Sequence, residues 1–231
     1  LGAVLMFGGG HAHADAEHPL EPVDTSTPRA TLTSFLVEME GVWQVFRDEY
    51  WHAPSYATYL DIIGRAARVL RTMDLSEVAP SARIEVGYQA VTLLYETLAR
   101  IELPPMEEIP DASAFEKTEG PAKWTIPHTD ITIARVVEGP RKGEFLISPG
   151  TVERASEFYQ RIRTLPYTRE MPIKDVAKLR QINPGWWIAT ASIESLPAWM
   201  KRIVFNHAVW KWIAFFVLLA AVSVLIRLVY R

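Results

Sequence analysis

Histidine and carboxylate side chains cluster near the start of the chain and are the first candidates for chemistry. Imidazole and carboxylate groups bind divalent transition metals, so a group of this kind is a candidate metal site. The group comprises His11, His13, Asp15, Glu17 and His18. It falls in a segment that we expect to be removed or to lack fixed structure, which argues against a functional metal site there.

Elsewhere the polar residues do not assemble into a catalytic set. His128 and Asp130 stand two residues apart on an expected strand edge, where no serine completes a triad. The stretch Gly8 to Gly10 lacks the lysine and the preceding strand of a phosphate-binding loop. Acidic residues of a central loop lack the spacing of a calcium cage; they are Glu107, Glu108, Asp111, Glu116 and Glu119. We therefore expect no enzymatic activity, no cofactor and no metal ion.

The composition is globular and excludes several classes of function. Of 231 residues, 49% are hydrophobic and 22% are charged, with a formal net charge of -3. No basic block is present to bind nucleic acid. The absence of cysteine excludes disulfides and cysteine nucleophiles. Between two apolar ends about 185 residues remain, which is enough for one ordinary domain.

The apolar stretch near the end of the sequence predicts a membrane-spanning helix. Trp212 to Ile226 contains 15 residues without a charge, which is short of the roughly 20 residues that a span requires. Lys211 and Arg227 flank this stretch, and their long side chains can reach the headgroups from either end. The prediction is therefore a transmembrane helix over residues 209–230.

The start of the sequence resembles the tail of a secretory signal peptide. Leu1 to Phe7 is apolar, and Ala12 and Ala14 have the small-residue spacing of a cleavage site. We interpret residues 1–18 as a signal-peptide remnant, with a merely disordered N-terminus as the alternative. Leu1 in place of Met suggests that a longer product begins upstream.

Membrane orientation follows from the signal-peptide interpretation. Lys201, Arg202 and Lys211 precede the span, while Arg227 and Arg231 follow it. Because positive charges favour the cytoplasmic side, this distribution does not decide the orientation of the helix. It slightly favours a cytoplasmic position for the N-terminal domain. The signal peptide predicts that the N-terminal domain lies outside and the C-terminus inside.

Three helices are predicted in the first half of the domain. Thr27 followed by Pro28 is typical of a helix start, and the apolar stripe that follows ends near Ala53 and Pro54. A third helix opens at Pro80. The apolar series of the three helices are Leu32, Phe35, Leu36, Met39, Val42, Trp43, Phe46 and Tyr50; Tyr56, Leu60, Ile63, Ala67 and Leu70; and Ile84, Tyr88, Val91, Leu94, Tyr95 and Leu98. Short loops predict antiparallel neighbours.

The second half begins with a change of period. Residues 104–121 are rich in proline and acidic residues. After them, apolar and polar residues alternate instead of following the helical spacing. Residues 131–137 and 144–148, with a turn at 138–143, predict a β-hairpin. A fourth helix follows Ser148 and Pro149, with its inner face at Val152, Phe158, Ile162 and Leu165. A short fifth helix is predicted over residues 173–182.

Tryptophan is concentrated before the span. Five of the eight tryptophans lie between Trp186 and Trp212, which indicates an amphipathic segment at the headgroups over residues 196–208. Packing of Trp186 and Trp187 under the domain is the alternative for those two. The predicted membrane-interface residues are Trp199, Lys201, Arg202, Trp210, Lys211, Trp212, Arg227 and Tyr230.

The fold class is therefore mainly α with a small β-hairpin (α+β), a helical extracytoplasmic domain followed by one transmembrane helix. The domain is assigned to residues 19–195, the interfacial segment to 196–208 and the span to 209–230.

Several composite motifs give the chain a family resemblance. Together they resemble the extracytoplasmic region and first membrane helix in a subgroup of the bacterial mechanosensitive channels of small conductance (MscS-like), from about Pro19 to Arg231. The motifs are Pro19-Leu20-Glu21-Pro22, Asp24 to Thr31, Gly143 to Pro149 with Thr151-Val152 and Glu157-Phe158-Tyr159, Leu165-Pro166-Tyr167, Pro184 to Trp187, and Leu196 to Trp199.

The resemblance implies a homo-oligomeric channel, by analogy a heptamer, in a bacterial inner membrane, with a periplasmic N-terminal domain. Such a channel opens under membrane tension and releases ions and osmolytes. The pore-lining glycine- and alanine-rich helix and the cytoplasmic β-domain of that family are absent from this sequence, so no gate residue can be assigned. The chain corresponds to the front portion alone.

Two other functions remain open from the sequence. A single-span sensor or a tethered binding domain would recognise a ligand or partner outside the cytoplasm. A membrane-tethered periplasmic enzyme is disfavoured because no catalytic set is present. Further apolar segments encoded downstream of Arg231 would favour the channel, whereas a kinase-type or DNA-binding domain there would favour the sensor.

Overall fold

The computed structural model describes residues 22–115, 122–182, 188–205 and 207–230. Its first helix begins where the sequence predicts. The Thr27 side chain accepts a hydrogen bond from the Ala30 N–H (3.0 Å), and Pro28 occupies the first helical turn. The helix then continues as a wide π-helical turn over Phe46–Tyr50.

Helices form most of the described chain, with a small antiparallel sheet between the third and fourth. The helices are α1 (Pro28–Val45), α2 (Tyr56–Leu70), α3 (Arg83–Leu98), α4 (Pro149–Ile162), α5 (Val176–Ile182), α6 (Thr190–Glu194) and α7 (Val209–Val229). The strands are β1 (Lys123–Thr125), β2 (Thr132–Arg135), β3 (Phe145–Ile147), β4 (Ile203–Val204) and β5 (His207–Ala208). Short 3₁₀ turns at Met106–Glu108 and Ala112–Phe115 occupy the proline-rich break.

The core lies between α1, α2, α3, α4 and the sheet. Helix α1 packs on α2, α2 on α3, and α3 on α4. The predicted apolar stripe of α1 is buried along its whole length, including the aromatic cluster of Trp43, Phe46 and Tyr50. The largest fully buried side chains of the other elements include Leu94, Tyr95, Leu98, Ile133 and Phe145.

Helix α2 turns a second apolar series toward the core. Of the predicted series, Tyr56, Leu60, Ile63 and Ala67 are exposed, and Leu70 packs against the core as expected. The rest of the inward face consists of Tyr59, Ile62, Ala66 and Val69. The helix carries two interleaved apolar series at helical spacing, and periodicity alone does not decide which series faces inward.

Two further side chains were expected to be buried and are exposed. Ile84 lies in the first turn of α3, before the helix reaches the core, and is exposed. Leu165 lies beyond the end of α4 and is exposed. In each case the apolar spacing extends past the part of the element that contacts other elements.

The sheet has three strands in the order β1-β2-β3. The predicted hairpin is confirmed, with Ile133 opposite Ile147 and Arg135 opposite Phe145. Gly139 and Gly143 adopt positive φ in its turn, which glycine does without steric cost. The sequence analysis missed β1, because a three-residue strand close to prolines gives no alternation to detect.

Strand β3 joins the sheet to the helices. The Ile147 N–H donates to the Thr72 carbonyl (2.9 Å), and the Asp74 N–H donates to the Ile147 carbonyl (2.9 Å). The Thr31 hydroxyl on α1 donates to the Phe145 carbonyl (2.6 Å). All three side chains of β3 are therefore buried between the other strands and the helices.

The C-terminal part leads from the domain to the apolar helix α7. Helix α7 has 21 residues; its most apolar stretch of 18 residues has a mean hydropathy of 2.5, and none of that stretch is buried. At 1.5 Å per residue it measures about 30 Å, the thickness of the hydrocarbon layer. Its length and composition thus indicate membrane association, and its bounds match the predicted span to within one residue.

The burial of one face of α1 predicts how substitutions on this helix change the free energy of unfolding. Phe35 is 0% exposed and Val37 is 50% exposed on the same helix. Phe35→Ala should lower the free energy of unfolding by about 3–5 kcal/mol because it leaves a cavity. The matched control Val37→Ala should change it by less than about 0.5 kcal/mol. Urea unfolding of the full chain in detergent measures both values, and equal losses would contradict the burial of this face.

Candidate functional site

A buried ion pair lies at the C-terminal end of α3. Glu96 is 0% exposed and Arg100, one helical turn later, is 4% exposed. The Arg100 guanidinium donates to the Glu96 carboxylate and to the Glu96 carbonyl (3.1 Å). A buried ion pair requires that the remaining hydrogen-bonding capacity of both groups is used.

Tyr167 and the start of α5 provide most of those partners, and the Arg100 Nε–H is left without one among the described residues. Arg100 Nη2 donates to the Tyr167 hydroxyl (2.6 Å), and this hydroxyl donates to Glu96 Oε2 (2.9 Å). The Val176 N–H donates to Glu96 Oε1 (2.5 Å). Both carboxylate oxygens are thus occupied. We call Glu96, Arg100, Tyr167, Asp175 and Val176 the buried polar cluster.

The ring of Tyr167 and the backbone at Asp175 complete the cluster. The Arg100 guanidinium carbon lies 3.8 Å from the Tyr167 ring centroid, a cation–π contact. Asp175 has a φ of 54°, and its N–H donates to the Tyr167 hydroxyl (2.8 Å). A non-glycine residue in the left-handed region is uncommon. The cluster thereby fixes the point where the chain turns into α5.

Burial shifts the pKa of the tyrosines around this cluster. Burial is the main cause that raises the pKa of Tyr167, and the hydrogen bond to Glu96 adds to it. Burial also raises the pKa of Tyr159, with Glu96 the next contributor. Both hydroxyls therefore stay protonated at neutral pH, and the Tyr167 hydroxyl donates to Glu96. The cluster joins α5 to α3 through the bond from the Val176 N–H to Glu96.

Helix α5 in turn supports the segment that leads into α7. Ala208 in β5 is fully buried, and β5 contacts both α5 and α7. Strands β4 and β5 pair antiparallel, with Ile203 opposite Ala208. We call residues 203–205 and 207–208 the pre-membrane hairpin. Phe205 at its tip has a φ of 50° and is 86% exposed.

The first turn of α7 is hydrogen-bonded back to the preceding turns. The Val209 N–H donates to the Arg202 carbonyl (2.9 Å), and the Trp210 N–H donates to the Met200 carbonyl (3.0 Å). Helix N-termini leave such donors without intrahelical partners, and unsatisfied donors are costly in a membrane. The backbone of residues 200–202 therefore caps α7.

Six of the eight predicted interface residues lie between positions 199 and 212, at the junction between the domain and α7. Trp199 is exposed, and Lys201 Nζ donates to the Glu194 carbonyl (2.9 Å). Trp212 Nε1 donates to the Val204 carbonyl (3.1 Å) across the hairpin. Trp210 is half-buried, and Lys211 Nζ lies 5.7 Å from its ring centroid.

The remaining two predicted interface residues lie at the other end of α7. Arg227 stands 17 positions after Trp210, which corresponds to about 25 Å along the helix. Tyr230 is exposed just beyond it. The described part of the predicted interfacial segment, residues 196–205 and 207–208, consists of tight turns and the pre-membrane hairpin. This conformation was not predicted, because the sequence indicates only the residue types at this position.

An apolar groove opens between the helices of the core. It has a volume of about 350 Å³ and lies between α1, α2, α3 and α5. Its lining includes Trp43, Phe46, Tyr59, Ile62 and Leu179. A groove of this size and character suits a small apolar molecule.

The other sequence candidates do not form a site in the described residues. His128 and Asp130 lie in the turn between β1 and β2 rather than on a strand edge, and Asp130 forms an ion pair with Arg154 (2.9 Å). No group of three metal-ligating side chains occurs among the described residues. The candidates that lie outside the described residues are His11, His13, Asp15, Glu17, His18, Glu116, Glu119, Trp186 and Trp187.

The buried polar cluster was missed by sequence reasoning, although a signal was present. Glu96 and Arg100 stand four residues apart within an otherwise apolar helix end. Charges at this spacing pair on one helix face, and a pair within an apolar surface indicates burial. Tyr167 lies too far along the chain for spacing to reveal its contact.

Comparison of the chain with protein-family models, with curated proteins and with solved structures gave no match.

The raised pKa of Tyr167 predicts a loss of stability at alkaline pH. Below pH 10, the usual tyrosine value, the protonated hydroxyl stabilises the fold. As the pH rises toward the higher folded pKa, the unfolded chain ionises first and this stabilisation is lost. Tyr167→Phe removes the titrating group, so the variant should lose less stability than the native chain between pH 10 and 12.

At neutral pH the same variant should be less stable by about 1–3 kcal/mol, because the buried Glu96 carboxylate loses a donor. Tyr56→Phe, at an exposed position, is the control and should change the neutral-pH value by less than about 0.5 kcal/mol. Urea unfolding at each pH measures these differences. Parallel pH profiles for the native and Tyr167→Phe chains would contradict the placement of Tyr167 in the cluster.

Proposed function

We propose that this chain is the periplasmic domain and first membrane helix of a bacterial mechanosensitive channel of the small-conductance (MscS-like) family. The complete channel would open under membrane tension and release ions and osmolytes. The domain would lie in the periplasm, with the C-terminal end of α7 on the cytoplasmic side of the inner membrane. The motifs described above and the junction between domain and helix support this proposal.

The observation that carries the proposal is an unbroken series of contacts from α7 to the core. The first turn of α7 is hydrogen-bonded to residues 200–202. Strand β5 contacts α7 and α5, and α5 is held on α3 through the bond from Val176 to Glu96. A change in tilt or depth of α7 would therefore be transmitted to the domain instead of being absorbed by a flexible linker.

The junction also offers side chains on which membrane tension can act. Phe205 and Trp199 are exposed beside the start of α7, and aromatic rings of this kind partition into the interface. Tension thins the bilayer and changes the depth at which such groups sit. Because these residues belong to the same hydrogen-bonded unit as α7, their displacement would move the helix.

Self-association is supported by the exposed apolar series on α2. Tyr56, Leu60 and Ile63 form one stripe on a helix whose other face is in the core. Exposed apolar stripes of this kind commonly form contacts between subunits. In a homo-oligomer, a second copy of the chain would cover this stripe.

The second candidate function is a single-span sensor or tethered binding domain. The apolar groove between α1, α2, α3 and α5 favours it, because its lining suits a small apolar ligand. Such a ligand would contact Leu179 on α5 and so reach the same junction. The reading frame beyond Arg231 discriminates the two functions: further apolar segments support the channel, and a cytoplasmic signalling domain supports the sensor.

Patch-clamp recording tests the channel proposal. In the complete protein, Trp199→Ala and Trp210→Ala together should shift the opening tension, because both aromatic groups help set the depth of the junction. The recording is made on bacterial spheroplasts that express each variant at the same level. Val137→Ala, on the exposed turn after β2, is the control and should leave the opening tension unchanged.

Two results would contradict the proposal. A complete protein that produces no tension-activated current would exclude the channel function. A tension-activated current with the same threshold in the double variant and the native protein would exclude the coupling through this junction.

A further inference from the structure

A polar cleft lies between the domain and the start of α7, and we call it the junction cleft. Its volume is about 690 Å³. Helices α3, α4 and α5 form one wall, while the pre-membrane hairpin and α7 form the other. The charged or titratable residues that line the cleft are Glu85, Tyr159, Arg163, Lys178, His207 and Lys211.

The charge in the junction cleft is predominantly positive. Arg163, Lys178 and Lys211 contribute three cations, and Glu85 contributes one carboxylate. Among the described residues, no carboxylate lies at ion-pair distance from Arg163 or Lys178. Eight arginines elsewhere in the described residues form ion pairs with carboxylates, for example Arg68 with Glu38 (2.8 Å). The cleft therefore has an excess of positive charge that its own acidic residue does not balance.

The cleft also contains neutral donors suited to an anion. Tyr159 is half-buried in its wall, and burial raises the pKa of this hydroxyl, which keeps its proton. Gln89 and Gln160 contribute side-chain amides. Phosphate oxygens accept hydrogen bonds from such groups and from arginine and lysine. The donor set thus fits an anion such as a phosphate ester.

The position of the cleft specifies the source of the phosphate. Lys211 is the third residue of α7, and the hairpin residues Ile203 and His207 face the same space. If α7 spans the membrane as proposed, these residues lie at the level of the lipid headgroups. The exposed apolar surface of α7 begins directly below them and offers a path for acyl chains.

We propose that the junction cleft binds the headgroup phosphate of an anionic phospholipid, with Arg163 and Lys178 as its principal ligands. The inference rests on the proposed membrane placement of α7 but not on channel activity. A lipid held there would bridge α4 and α5 to the first turn of α7. Its presence would stiffen the junction, and its loss would loosen the domain from the helix.

Native mass spectrometry of the full chain tests the assignment. The protein is released from nanodiscs of mixed phosphatidylglycerol and phosphatidylcholine, and the lipids that remain bound are counted. Phosphatidylglycerol should be enriched over its share in the nanodisc. The double variant Arg163→Gln with Lys178→Gln should lose that enrichment at least fivefold, because a single basic residue at an anionic surface contributes about that factor.

The matched control removes the same charge elsewhere. Arg161→Gln with Lys142→Gln changes two exposed basic residues outside the cleft lining and should retain the enrichment. Equal losses in both double variants would overturn the proposal, because they would indicate a general charge effect. Unchanged enrichment in the Arg163/Lys178 variant would overturn it as well.

Two further measurements distinguish a lipid phosphate from a free phosphate ester and test the membrane placement of α7. Glycerol 3-phosphate is added to the detergent-solubilised chain; binding that depends on Arg163 and Lys178, without any lipid preference, would overturn the lipid assignment. Alkaline extraction of the same membranes reports whether α7 is inserted. A chain that resists extraction but shows no lipid enrichment contradicts the cleft proposal alone, whereas a chain that is extracted contradicts the membrane placement itself.

Discussion

The buried ion pair between Glu96 and Arg100 is the interaction on which the arrangement of the C-terminal half depends. Removing two charges from water is costly, and hydrogen bonds to the two charged groups offset that cost. Here the partners are Tyr167 and the Val176 N–H, which lie on the segment that follows α4. Of the donors of Arg100, Nε alone is buried without a partner among the described residues. The requirement to satisfy the pair therefore positions α5, and α5 supports the pre-membrane hairpin and the first turn of α7.

The sequence predicted those elements whose signals are local. The cap at Thr27 and the apolar stripe of α1 were confirmed, and so were the β2–β3 hairpin and the bounds of α7. Each depends on residues within one element or on adjacent elements. The inward face of α2 was not predicted, because the neighbouring helices decide which face is buried. Strand β1 was not predicted, because it is defined by its pairing with β2. The buried polar cluster joins positions 71 residues apart, and no periodicity encodes such a contact.

At the junction, residue types were predictable and geometry was not. The concentration of tryptophan and lysine around the start of α7 indicated an interfacial segment, and its conformation, a hairpin with an exposed Phe205, was not predicted. In the proposed channel, a hairpin whose strands are paired and whose flanking backbone caps α7 would transmit displacement more directly than a flexible linker does. The positively charged junction cleft, proposed to hold a lipid phosphate, lies on the same path between membrane and domain.

Hydrogen exchange of the full chain in detergent tests most directly whether the Glu96–Arg100 pair holds the junction on the core. Glu96→Gln keeps the shape of the side chain but leaves the Arg100 charge without its counter-ion. The account predicts that amides of α5 and of residues 207–212 exchange faster, while amides of α1 keep their native protection. Glu157→Gln, in an exposed ion pair with Arg161, should change neither region. Unchanged protection of α5 in Glu96→Gln, or an equal loss in α1 and α5, would contradict the account.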